Sequence, residues 1–142
     1  MSALLVEVRG LRAAMEQMAS AGPRVQLAFG RLQMHEQRIT ASLRKMDAVH
    51  AEIRSLEAAL ERTDSEIKED EEGSRDPQLA QFREQYTVQL KDLRQKKTHT
   101  SAQLQRLRAE EGTLQNEIAA DQARWIEANR LLEELDRSLT RR

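Results

Sequence analysis

The chain has 142 residues, 33% of them charged and only 3% aromatic, with 5 Gly and 2 Pro. Bases and acids nearly cancel, at 23 against 24, so the basic surplus of a dedicated nucleic-acid binder is missing. Cysteine is absent, which excludes disulfides, thiolate metal sites and cysteine nucleophiles and fits a reducing compartment. Richness in Ala, Glu, Leu, Arg and Gln belongs to long helices, and no alternating β-branched runs bounded by turns argue for strands.

The opening residues, MSALLVEVRGLRAAMEQ, contain no basic leader and no apolar run long enough for a signal peptide or a membrane span. The expectation is a cytoplasmic protein without a transmembrane segment. From Leu4 every seventh residue is apolar: Leu4, Leu11, Met18, Val25, Leu32, Ile39, Met46, Ile53, Leu60 and Ile67. That run predicts one seam of a long α-helix packed on another helix.

The companion seam positions are expected four residues later, at Val8, Met15, Gly22, Phe29, Glu36, Leu43, His50, Glu57 and Asp64. This series turns polar in its second half, where Val49, Leu56 and Thr63 take over three residues after the main series. The pattern therefore predicts a heptad discontinuity near Met46 to Val49. Gly22-Pro23 interrupts an otherwise helical stretch, and proline inside a helix costs ~3 kcal/mol, so a kink or break is expected at 22–23.

Helix one should cover about residues 2–71 and end in an acidic tip: residues 61–76 hold eight acids against three bases. Gly73-Ser74-Arg75-Asp76-Pro77 is the turn-rich cluster, which places a turn at 73–77. Asp76 is suited to cap a second helix with Pro77 in its first position. Helix two should then run over about 77–141, with one seam series from Leu79 through Tyr86, Leu93, Leu107 and Leu114 to Leu135, and the other from Arg83 through Leu90, Leu104, Ile118, Trp125 and Leu132 to Leu139.

Two helices of similar length joined by a short turn lie antiparallel. The expected fold is all-α: residues 1–142 form a single long antiparallel two-helix coiled-coil hairpin, with scope for two hairpins to dimerise into a four-helix bundle. Folding about residues 74–76 pairs positions whose numbers add to about 150, such as Leu60 with Leu90 and Gly22 with Ala128. At 1.5 Å per residue such a rod is roughly 100 Å long.

Catalysis needs a concave, water-poor pocket, and a two-helix rod provides none, so no enzyme, small-molecule substrate or cofactor is expected. No phosphate loop, HExxH, GxSxG or EF-hand spacing occurs. On the expected register His50 lies beside Thr100 and His99, a conceivable two-histidine metal site; the plainer reading makes His50 a polar register residue and His99 a solvated one, and no metal is expected. His50, Glu57, Lys97 and Thr100 should cluster in mid-seam, Asp64 near Arg83, and Glu36 beside Glu111. Residues 91–108 carry six bases (Lys91, Arg94, Lys96, Lys97, Arg106, Arg108) against Asp92. They could contact phosphate or anionic lipid, or pair with the first helix.

The clearest functional hint lies where the two ends meet. Leu5, Val6, Leu27, Met34, Ile126 and Leu131 are apolar outside the seam and would form a shared protein-interaction surface. The reading is a non-catalytic structural or adaptor protein that mediates protein–protein interaction or self-assembly, with a homodimer through the open end as one partner arrangement. In outline the hairpin resembles the coiled-coil stalk proteins of flagellar and type III export. This implies an alternative role as a cytoplasmic stalk or chaperone of an export ATPase machine, by architecture and without carrying any residue across. The third reading is a weak nucleic-acid or anionic-membrane binder through residues 91–108.

Overall fold

The computed structural model describes the backbone of residues 2–140 and the side chains of residues 3–10 and 22–140. The fold is an all-α helical hairpin in which two long helices pack against each other. Helix α1 spans Ser2–Arg75, a 3-10 segment spans Pro77–Phe82, and helix α2 spans Arg83–Thr140. Pro23 lies inside α1, so the helix continues through Gly22-Pro23 without a break.

Contacts divide the chain into two compact units. The proximal unit joins Met1–Leu43 to Asn116–Arg142; the distal unit is Arg44–Gln115 and contains the turn. In the distal unit the buried residues are mostly large aliphatics: Met46, Val49, Ile53, Leu90, Leu104 and Leu114, with Thr63 and Thr100. Thr63 satisfies its hydroxyl by donating to the Ala59 carbonyl at 2.9 Å. In the proximal unit the most buried residues are small or polar: Ala28, His35, Asp121 and Ala128. Burying a Leu, Ile or Met contributes roughly 1.5–3 kcal/mol, so the distal unit holds the better core.

Along α1 the ten-residue series lines the seam at every described position from Val25 on, but its companions sit three residues later, not four. Ala28, His35, Ser42, Val49, Leu56, Thr63 and Asp70 are buried or half-buried. Phe29 and Leu43, expected inside, are 52% and 48% exposed. Leu4 and Val8, also expected in the seam, are exposed as well. The expected discontinuity near Met46 is absent: one spacing holds from Val25 to Asp70. Ala28 and Ser42 contribute little to an apolar pattern, yet their stripe continues through Val49, Leu56 and Thr63, whereas the stripe of Phe29 and Leu43 continues through Glu57 and Asp64, whose charges stay in water.

The turn also differs from expectation. Gly73, Ser74 and Arg75 stay in α1, and the reversal uses Asp76 and the 3-10 segment. Asp76 is extended at φ −71°, ψ 118°, and its carboxylate accepts from the Gln78 amide at 3.0 Å, with Pro77 in the first position. Leu79 leaves helical geometry at φ −105°, ψ 18°, and α-helix resumes only at Arg83.

Moving the reversal point resets the register. Cross-helix partners in the distal unit have numbers that add to 161 (Asp64 with Lys97, His50 with Glu111) or 165 (Glu71 with Arg94, Glu57 with Arg108). In the proximal unit Glu36 with Trp125 again gives 161. The hairpin folds near residue 80, and each residue of α1 faces a position about three turns further along α2 than the sequence reading placed it. Gly22 thus does not face Ala128. Gly73 instead sits under Tyr86: a Cβ there would lie 2.7 Å from the ring.

Two predictions test this packing. Ile53→Ala should cost roughly 2–4 kcal/mol in urea unfolding, whereas Leu43→Ala should cost under about 1 kcal/mol, because only Ile53 lies in the seam. Gly112→Ala meets open space and should stabilise by roughly 0.5–1 kcal/mol, while Gly73→Ala should forfeit that gain by displacing Tyr86.

Candidate interaction surface

One edge of the hairpin carries the polar contacts between the helices. Of the positions four residues after the main series of α1, Glu36, His50, Glu57 and Asp64 lie beside the seam and reach across to α2, whereas Phe29 and Leu43 on the same edge are exposed. In the distal unit Asp64 pairs with Lys97 at 2.7 Å, Glu57 with Arg108 at 3.0 Å and Glu71 with Arg94 at 3.1 Å. His50 stands 3.6 Å from Glu111. In the proximal unit the Trp125 indole donates to Glu36 at 3.0 Å. These groups are largely exposed, so each ion pair contributes at most about 1 kcal/mol; together they report the register. Arg94, Lys97 and Arg108 are thereby committed to α1, and half of the basic block at 91–108 is spent inside the hairpin.

This edge separates residues that the sequence reading grouped. Glu111 stands beside His50, which puts His99 twelve residues away along α2, about 18 Å, so the two histidines do not form a site. Glu36 and Glu111 are likewise apart, held by Trp125 and His50. Asp64 faces Lys97, not Arg83. Among the described residues no group of three His, Asp or Glu side chains could hold a metal ion.

The six residues proposed for protein interaction, Leu5, Val6, Leu27, Met34, Ile126 and Leu131, are all exposed. Helical geometry at 100° per residue assigns them to two edges. Val6, Leu27 and Met34 share one heptad position of α1, and Leu131 lies on the matching edge of α2, opposite the ion pairs. Leu5 and Ile126 belong to the polar edge. Leu27 and Leu131 come together in one place: with Ala28, Ala128 and Leu135 they line an open groove of about 360 Å³ between the helices of the proximal unit.

Arg24 and Arg31 rim this groove on the α1 side, with Glu134 and Ser138 on the α2 side. The sequence reading missed these charges because it counted charge in blocks along the chain. The available signal was the seven-residue spacing of Arg24, Arg31 and Arg38, which places three bases on one helix edge. Among the described residues none of the three has an acidic partner at ion-pair distance.

Exposed apolar surface is concentrated here. Ten of the twelve large hydrophobic side chains that stand exposed among the described residues belong to the proximal unit; Phe82 and Val88 are the exceptions. The same unit buries His35, whose Nδ1 has no hydrogen-bond partner, and Asp121, held by Arg124 at 3.2 Å. No described helix is long and apolar enough to cross a membrane. No protein-family model, curated protein or solved structure matches the chain.

A double-mutant cycle on Asp64→Ala and Lys97→Ala should give a coupling of roughly 0.2–1 kcal/mol at low salt that fades towards 1 M salt. A coupling that salt leaves unchanged would contradict a solvated pair.

Proposed function

We propose that this protein is a non-catalytic coiled-coil structural or adaptor module. Its distal unit is a self-sufficient hairpin and its proximal unit a protein-interaction or self-assembly surface. The observation that carries this reading is the gathering of exposed apolar side chains on the unit whose fully buried residues are only alanine, histidine and aspartate, its larger seam residues Val25, Leu32, Ile39, Ile118 and Leu132 being half-buried. Contiguous exposed apolar surface marks a contact site. The distal unit, with an aliphatic core and paired surface charges, has no comparable need of a partner.

The test replaces Leu27 and Leu131 together by Glu and compares mass by light scattering and uptake of an apolar fluorescent dye with the unaltered chain. The expected result is that the unaltered chain either associates or binds dye, and that the double variant loses that property while keeping its helical circular dichroism. An unaltered chain that stays monomeric and takes up no dye would sink the proposal.

A further inference from the structure

Resting on that reading, we infer that the partner of the proximal unit is a second copy of the same chain. The two copies pack through the Leu27–Leu131 groove about a two-fold axis parallel to the helices. The charges on this edge select both the occupant and the symmetry. The α1 side is basic, with Arg24, Arg31 and Arg38 alternating with Leu27 and Met34. The α2 side presents Glu127 and Glu134 on either side of Leu131, with Arg130 between them and Arg124 one heptad before Leu131. A surface with one basic rail and one glutamate-bearing rail is complementary to itself.

Two hairpins can face each other in two symmetric ways. With the two-fold axis across the helices, α1 lies antiparallel on the partner's α1. Arg31 then meets its own copy, Arg24 meets Arg38, and the glutamates of the two α2 helices also oppose one another. With the axis along the helices, each residue of α1 stays level with the α2 position it already faces, but across the interface. Numbers adding to about 161 set Arg31 level with residue 130, between Glu127 and Glu134, and Arg24 within one turn of Glu134, while Arg38 falls beside Arg124, about one turn from Glu127. Leu27 and Met34 then bracket Leu131. Every neighbouring pair of helices is antiparallel, as in an up-down-up-down four-helix bundle. Like charges brought into opposition disfavour the first arrangement, and the second brings Arg24 and Arg31 to Glu127 and Glu134 instead.

The glutamates are open to such exchange. Among the described residues Glu127 and Glu134 pair only with Arg130 on their own helix, at 3.4 and 3.8 Å, and all three side chains are mostly exposed. Pairs of that kind are worth little, so a partner's arginine displaces them readily. The groove accepts Leu27 and Met34 of the partner, covering Leu131 and Leu135 in both copies at once.

The experiment is a charge exchange between two variants, Arg31→Glu and Glu134→Arg, read by light scattering across a concentration series. Both positions are exposed and outside the seam, and circular dichroism controls for folding. The unaltered chain should dimerise. Each variant alone should dimerise at least about tenfold more weakly, because both symmetry-related contacts then oppose like charges. Equimolar mixing should restore dimers, since every 31–134 contact in the mixed pair is attractive. An unaltered chain that binds apolar dye yet stays monomeric overturns the second-copy assignment and leaves the interaction surface standing. Dimers that survive both variants, or fail to return on mixing, overturn the two-fold geometry.

Discussion

The place where the chain reverses governs everything else in this hairpin. Each residue by which the reversal point moves shifts the facing position on the second helix by two. A helix seam tolerates such shifts without losing its apolar pattern, because both stripes repeat every seven residues. Composition alone therefore cannot select the register. The capped segment from Asp76 to Phe82 does so, and the ion pairs of the polar edge fall into place behind it. Tyr86 adds a steric lock, since its ring occupies the space that a side chain at residue 73 would need.

Fold class was legible because periodicity reports which residues must leave water. The main series of α1 from Val25 on and both series of α2 were readable from apolar spacing, while Leu4 is exposed and Leu11 and Met18 lie outside the described side chains. The companion series of α1 was not, because two stripes competed for one seam. At the start of the described seam Phe29 and Leu43 are bulkier than Ala28 and Ser42 yet stay outside, on a stripe that also carries Glu36, Glu57 and Asp64, and the stripe with Ala28, Ser42, Val49 and Leu56 goes in. Volume at single positions misleads here, because the stripe of Phe29 and Leu43 continues through charges that stay in water. The turn failed for a related reason. Gly73-Ser74-Arg75 has the composition of a turn but continues the helix, held by packing under Tyr86 and by the Glu71–Arg94 bridge.

The geometry of the proposed interaction surface was legible only in part. Its apolar members could be named from residues that the seam did not use, and all six are exposed. Their division between two edges depends on the companion series, so they could not be sorted before that was known. The basic rail was hidden for a similar reason. Arg24, Arg31 and Arg38 are scattered in sequence and become a row only once the helix edge is defined.

The two units complement each other energetically. The distal unit buries aliphatic side chains and satisfies its buried threonine at Thr63 locally, so its seam is complete within one chain. The proximal unit buries an imidazole nitrogen without a partner and a carboxylate held at 3.2 Å by its own helix, while leaving leucines outside. Buried polar groups lower stability but restrict which neighbours a helix accepts. A seam closed around small side chains leaves the large apolar residues on the outer edges, where a second pair of helices can cover them. The features that weaken the proximal unit as a two-helix hairpin are thus those that the proposed four-helix assembly would use: small residues inside each pair, leucine and methionine between pairs, and Arg24 and Arg31 opposite Glu127 and Glu134.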